Sequence, residues 1–365
     1  MTAPGLYLPR CLIERNPPVP TPSTLKRFAA LALAAAAVTA PSPAPAADSD
    51  VFVPVFRTDF PDPFILRAGD RWLAYATNGN KGKTNVQLAE SRDLVHWAMV
   101  KDDKGARDAM PELPAWAKKG FTWAPEVLKT DTGYVLYFTA RDKKSGMQCV
   151  GAAAATDPAG PFTSTAASPL VCQTSLGGTI DASPFRDSDG KLYLYYKNDG
   201  NNPAARKPVK IYGQPLSADG LSVTGEPAAL LGTGAEWEAN LIEAPTMVRR
   251  ADGYTLLFSA NDFAWQPTQR LSAYAIGYAA CDGPLGPCTA PADNPVLYSF
   301  NAPDAGCLSG PGHQAVFQGE DRRYIAFHAW AATPGCRLLD QRRYLYIAPL
   351  GWKGAKPMIG KSLRE

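Results

Sequence analysis

One phrase recurs five times along this chain, and it restricts the fold more than any other feature. Each copy is a polar or acidic residue opening a short strand, a tight turn, and an apolar strand running back. The middle copy reads Ile180-Asp181-Ala182-Ser183-Pro184-Phe185, then Asp189-Gly190, then Leu192-Tyr193-Leu194-Tyr195-Tyr196. The others centre on Asp62-Pro63-Phe64-Ile65, Trp123-Ala124-Pro125-Glu126-Val127, Glu243-Ala244-Pro245-Thr246-Met247 and Gly312-His313-Gln314-Ala315-Val316. Their second turn residues fall at 70, 133, 190, 253 and 321, at separations of 63, 57, 63 and 68. Turn-linked strands repeated at such intervals predict an all-β, five-bladed β-propeller in a single domain. The period exceeds that of common propeller repeats and leaves room for long loops.

The placement of charge within the repeat points to a site. Asp62, Asp181, Glu243 and His313 lie 8, 9, 10 and 8 residues before their turns. The first strand of a propeller blade lines the central channel, so these side chains are expected to converge at one end of the axis. Taken singly, each acid reads as a turn or strand-edge carboxylate bonded to backbone. Nearly equivalent placement in four copies favours a shared task. The second copy has Ala124-Pro125 at that place, flanked by Trp123 and Glu126.

Residues 1–47 read as an N-terminal extension and secretory signal, removed from the mature chain. Lys26-Arg27 precede an Ala-rich apolar run and a Pro/Ala stretch ending in small residues. Residues 48–365 are then the catalytic propeller, with no linker marking a second module. The removed segment holds Arg10, Arg15, Lys26 and Arg27 against Glu14, leaving 33 basic and 33 acidic residues in the rest. A neutral chain without basic blocks has no electrostatic footprint for nucleic acid or an anionic membrane. Six cysteines remain, and in an exported chain they predict disulfides. Of the fifteen possible pairings, sequence neighbours are favoured: Cys149–Cys172, Cys281–Cys288 and Cys307–Cys336.

Converging carboxylates suit glycosidic cleavage, in which one protonated carboxyl serves the leaving oxygen and an ionised one activates water. A third acid nearby raises the first one's pKa by like-charge repulsion. At this point the chain resembles glycoside hydrolase family 43, five-bladed propellers acting mainly on arabinofuranosyl and xylosyl linkages. Phe60-Pro61-Asp62-Pro63-Phe64-Ile65 resembles the motif whose Asp is the general base. Ile180-Asp181-Ala182-Ser183-Pro184-Phe185 resembles that of the pKa-tuning Asp, and Ile242-Glu243-Ala244-Pro245 that of the general acid. Trp123-Ala124-Pro125-Glu126-Val127, Ser91-Arg92-Asp93-Leu94-Val95-His96-Trp97, Gly310-Pro311-Gly312-His313 and Arg343 are similar to further markers of that family. The resemblance implies inversion and a wide separation between base and acid. It also implies a carbohydrate partner, no required cofactor, action as a monomer, and a secreted or periplasmic location.

The resemblance places His313 beneath the site, where it either ligates a structural calcium among waters or stands as a buried hydrogen-bonded histidine. His96 and His328, in apolar contexts, read as structural. Trp123, which borders the converging position, is the expected sugar-stacking ring; Trp237, Phe263, Trp265 and Trp330 read mainly as packing. Arg343 is expected to bind a sugar hydroxyl or hold a catalytic carboxylate ionised. The substrate reading is an α-L-arabinofuranosidase or arabinanase. A β-xylosidase, a fructoside-cleaving propeller and a non-catalytic carbohydrate-binding propeller are the alternatives.

Overall fold

Each recurring phrase folds into an antiparallel hairpin, and each hairpin is the inner half of one blade. The computed structural model describes residues 51–364 except 265–270, 304 and 334. The predicted signal segment, Cys11 and Trp265 therefore lie outside the described residues. The described residues form one compact unit.

Blade one is built from Phe64–Ala68, Arg71–Ala76, Gln87–Ser91 and Ala98–Met99, hydrogen-bonded in chain order. Blade two comprises Ala117–Thr130, Gly133–Asp142 and Gln148–Ala155. Blades three and four are the four-stranded sheets beginning at Thr179–Arg186 and Ile242–Arg250. Blade five begins at Gly312–Gln318 and contains the long strand Leu338–Lys353. The ring closes where the segment before blade one docks on that strand. Val55 N–H donates to Leu345 O (2.9 Å), and Leu345 N–H donates to Phe56 O (3.2 Å).

The apolar residues do not gather into one core. They form five clusters, one at each seam between neighbouring blades. Leu73, Leu88, Trp116 and Phe138 fill the seam of blades one and two. Tyr137, Leu194 and Tyr196 fill the next, and Tyr195, Ile211, Leu256 and Phe258 the one after. Leu257, Ile276 and Phe327 pack between blades four and five, while Phe60, Trp72, Phe317 and Ile347 close the circle. Each such side chain, fully buried, contributes about 1.5–3 kcal/mol. Three tyrosines at the same place in the repeat carry a polar link across the seams. Tyr75, Tyr137 and Tyr195 donate from their hydroxyls to the carbonyls of Pro158, Gly220 and Pro284 at 2.5, 2.6 and 2.8 Å.

Around the axis the five innermost strands share one irregularity. Asp62, Ala124, Asp181, Ala244 and His313 all adopt left-handed backbone, with φ of 57°, 46°, 59°, 50° and 50°. Strand register shifts at this point in blades two to five. The bulge turns each N–H out of its own sheet, so its acceptor must come from the preceding blade. Ala124 N–H donates to Thr77 Oγ1 (2.9 Å), Asp181 N–H to Thr139 Oγ1 (3.2 Å) and His313 N–H to Ser259 Oγ (2.8 Å). Asp62 N–H donates to His328 Nδ1 (3.0 Å), which joins the last blade to the first.

The spacing analysis needs one correction here. The residue equivalent to Asp62 and Asp181 in blade four is Ala244, and Glu243 sits one position earlier. That earlier position also faces the axis: Trp123 and Ile180 occupy it and line the same cavity as Glu243. The bulge thus presents two consecutive residues to the channel, which is how a one-residue offset still delivers the acid.

The three cysteine pairs are bonded as expected: Cys149–Cys172, Cys281–Cys288 and Cys307–Cys336. The mature, unreduced protein should weigh six hydrogens less than its reduced form by intact mass spectrometry, and free thiols at these positions would contradict the assignment. The ring makes a second prediction. Thr139→Val removes the acceptor of a buried N–H, so chemical denaturation should show a loss of about 1–3 kcal/mol. An unchanged stability would mean that the N–H finds another partner.

Candidate active site

One end of the axis opens into a cavity of about 530 Å³ lined by Asp62, Asp181, Glu243, Trp123, His313 and Arg343, together with Tyr274, His328 and Phe263. All six site residues singled out from sequence therefore meet in one place.

Asp62 is held by a shell of donors. Thr77 Oγ1 donates to its Oδ2 and, through the same oxygen, accepts from blade two. Arg343 Nη1 reaches Oδ1 at 3.3 Å, and His313 Nδ1 stands 3.4 Å from the same oxygen. Burial opposes ionisation of Asp62, but the Arg343 guanidinium and then His313 outweigh it, holding the carboxyl well below the usual carboxylate range. Arg343 is itself anchored, with its N–H on Asp59 (3.0 Å) and its guanidinium over the rings of Phe263 and Trp330.

Asp181 lies in the opposite electrostatic setting. Burial and the neighbouring Glu243 carboxylate push it up to about 6, against the pull of His313 and Lys197. Its Oδ2 accepts from the N–H of Ala244 at 2.9 Å, so it reaches blade four through backbone.

Glu243 is gripped at both oxygens. Tyr274 donates from its hydroxyl to Oε1 at 2.8 Å, and Lys197 Nζ lies 3.2 Å from Oε2. Tyr274 owes its place to Gly312, where a Cβ would come within 2.0 Å of the tyrosine ring. The rings of Tyr274, His328 and His313 then stack in a column, with centroids 5.9 and 6.2 Å apart.

His328, expected to be structural, belongs to the site. Burial, with Arg343 nearby, lowers its pKa to about 4. The neutral ring accepts the Asp62 N–H at Nδ1, so its 3.3 Å approach to Asp62 Oδ1 is a packing contact and not an ion pair. His96 departs from expectation differently: it is exposed in a loop, 2.7 Å from Asp93. Among the rings, Phe263 joins Trp123 on the cavity wall. Trp237 packs against Phe258 as expected of a core residue.

His313, read from the sequence as either a calcium ligand or a buried hydrogen-bonded histidine, is buried, and its N–H donates to Ser259 Oγ. Among the described residues no group of three or more His, Cys, Asp or Glu side chains is placed to share an ion. Calcium prefers six to eight oxygen ligands, so an ion at His313 would take most of its ligands from water.

Residues 52–356 match Glycosyl hydrolases family 43. The chain belongs to that family. An arabinoxylan arabinofuranohydrolase of Paenibacillus polymyxa is 26% identical over 67% of this chain and 38% of its own length. A β-D-galactofuranosidase of Aspergillus niger is 26% identical over 75% of each chain. The crystal structure of a thermostable family-43 glycoside hydrolase superposes with a TM-score of 0.70 at 27% identity, covering 84% of this chain and 96% of that one.

The chain spans 38% of the first of these relatives' own length and 75% of the second's, and three contacts of the cavity escaped the sequence reading. Lys197 and Tyr274 hold the Glu243 carboxylate and His328 holds the Asp62 N–H, each from another strand, and no local spacing announces them. Lys197 and His328 do share a signal in hindsight, since they fill the second-strand place held by Thr77, Thr139 and Ser259.

Glu126 of the Trp-Ala-Pro-Glu motif lies behind this family 43 site, buried to 8% exposure. Burial, helped by Asp181 and opposed by a hydrogen bond to Ser183, raises its pKa from 4.5 to about 8. The folded protein keeps this proton where the unfolded chain releases it. Stability should therefore fall as pH rises from about 4.5 toward 8. Glu126→Gln should raise the melting temperature at pH 8 and leave it near wild type at pH 4; an equal effect at both values would contradict the assignment.

Proposed function

We propose that the protein is an exported, inverting glycosidase of arabinofuranosyl linkages in plant cell-wall polysaccharides or their oligosaccharides. Asp62 is the general base, Glu243 the general acid, and Asp181 the residue that tunes and positions the acid. The observation that carries this reading is the contrast between the carboxylates of one cavity. Asp62 faces a guanidinium and is ionised at any working pH. Asp181, buried beside the Glu243 carboxylate, is pushed up to about 6.

In this reading a sugar ring lies against Trp123 and Phe263. Asp62 takes a proton from a water that attacks the anomeric carbon. Glu243 delivers its proton to the departing oxygen, and the anomeric bond breaks as the new one forms on the opposite face. Two further groups suit a polyhydroxylated ligand. Arg141 and Gln148, partners across adjacent strands of blade two, line the cavity, and Arg141 Nε and Gln148 Oε1 are buried without a protein partner. A donor beside an acceptor matches a sugar hydroxyl, which is both.

The arabinofuranosyl assignment draws support from relatives named for furanosides, the arabinofuranohydrolase and the galactofuranosidase. The xylosyl alternative has support of its own, since a β-xylosidase of Bacillus subtilis is 27% identical over 75% of this chain. Export accords with the three disulfides and with an extracellular endo-α-(1→5)-L-arabinanase of Thermotoga petrophila among the relatives. Among the described residues no helix is long and apolar enough to cross a membrane.

Two substitutions and a substrate panel test the reading. Glu243→Gln should lose about a hundredfold or more on linkages with poor leaving groups, yet retain activity on aryl glycosides whose leaving group needs no proton. Asp62→Asn should be inactive on both. Release of arabinose from arabinan and arabinoxylan should exceed release of xylose from xylo-oligosaccharides. Xylose as the main product would move the assignment to the xylosidase, and wild-type binding without turnover would move it to the carbohydrate-binding propeller.

A further inference from the structure

The ring of bulge contacts follows one rule at four seams and breaks it at the fifth. Thr77, Thr139, Ser259 and His328 each accept the N–H of the following blade through a neutral oxygen or nitrogen. The corresponding residue of blade three is Lys197, whose ammonium has no lone pair to offer. The N–H of Ala244 turns instead to Asp181 Oδ2, at 2.9 Å. Lys197 is 0% exposed. Its Nζ is 2.6 Å from Asn201 Oδ1 and 3.2 Å from Glu243 Oε2.

A buried ammonium is costly to desolvate, and a hydroxyl here would have satisfied the seam without that cost. The lysine therefore does something the ring does not need. It is the cation in contact with Glu243, on the oxygen that Tyr274 leaves open. We propose that Lys197 is a positioning residue for the general acid: with Tyr274 it fixes the Glu243 carboxyl in one orientation, and its charge sets the pH at which that carboxyl stops donating a proton. The inference rests on Glu243 being the acid.

The charges around Glu243 give the sign. Asp181 and Asp199 of blade three oppose its ionisation, with Asp62 and His313 beyond Asp181, and Tyr274 of blade four donates to it. Lys197 is the cation within contact that favours ionisation. Without it, Glu243 faces carboxylates and holds its proton to higher pH.

In the full-length mature enzyme, Lys197→Met should move the basic limb of the kcat/KM profile up by about one pH unit or more. At the wild-type optimum kcat should fall about tenfold on arabinosides with poor leaving groups and much less on activated aryl arabinosides. Lys197→Thr restores the hydroxyl found at this place in blades one and two. It serves as the folded control if the Met variant is unstable, and its basic limb should move as far. Lys197→Arg keeps the charge and should keep the limb near wild type. A limb that stays put in the neutral variants, or an equal loss on both substrate classes, would overturn the proposal. Glu243→Gln separates the two failures. If it shows no dependence on leaving group, the acid assignment itself is wrong. If it does show that dependence and the neutral Lys197 variants leave the limb unmoved, the lysine alone is misassigned.

Discussion

The propeller depends on a backbone N–H at each seam that points away from its own sheet. A left-handed bulge on a non-glycine residue costs about 1–3 kcal/mol, and a buried N–H without a partner costs about as much again. Both are offset only when the preceding blade supplies an acceptor at the right height. Thr77, Thr139, Ser259 and His328 do so, and Asp181 does so in place of Lys197. At the same bulge one or both of two consecutive positions line the cavity: Asp62, Asp181 and His313 at one, Trp123, Ile180 and Glu243 at the other. The device that joins the blades is therefore also the device that assembles the cavity, and the seam formed last in sequence, His328 to Asp62, fixes the backbone of Asp62.

Within that frame the chemistry follows from where cations were placed. Arg343 and His313 stand on the Asp62 side of the cavity, and burial is not enough to keep that carboxyl protonated. On the far side Asp181, Glu243 and Asp199 lie close together with Lys197 as their cation, and there burial raises both Asp181 and Asp199. A single pocket can then hold an ionised carboxylate and a protonated one at the same pH, the condition for concerted acid and base work. Tyr274 and Gly312 belong to the same arrangement, since the glycine clears the space in which the tyrosine meets Glu243.

Much of this was legible in the chain because the repeat is written in local terms. Asp-Gly turns and alternating apolar strands mark the hairpins. Counting back from the turns finds Asp62, Asp181 and His313 at the bulge and Glu243 one residue short of it. The offset was invisible because a bulge changes which residues face inward, and a count from the turn does not register it. Cys149, Cys281 and Cys307 pair with sequence neighbours because each disulfide links segments within a blade or next to it in the chain. What the sequence hid are contacts whose partners lie on strands distant in sequence. Lys197 looks like one residue of an apolar strand, His328 like a core histidine, and Tyr274 like the start of a weak third strand. Each acquires its role only when the strands pack: Tyr274 within blade four, Lys197 across the seam of blades three and four, and His328 where the ring closes.

The central claim is that Asp62 and Glu243 act from opposite faces of the sugar in a single displacement. It is tested most directly by following the first turnovers of an α-L-arabinofuranoside by proton NMR, before the released sugar mutarotates. The account predicts that β-L-arabinofuranose is formed first and the α-anomer appears only later. Initial formation of the α-anomer would mean retention through a covalent intermediate, and would contradict the assignment of Asp62 as a base acting on water.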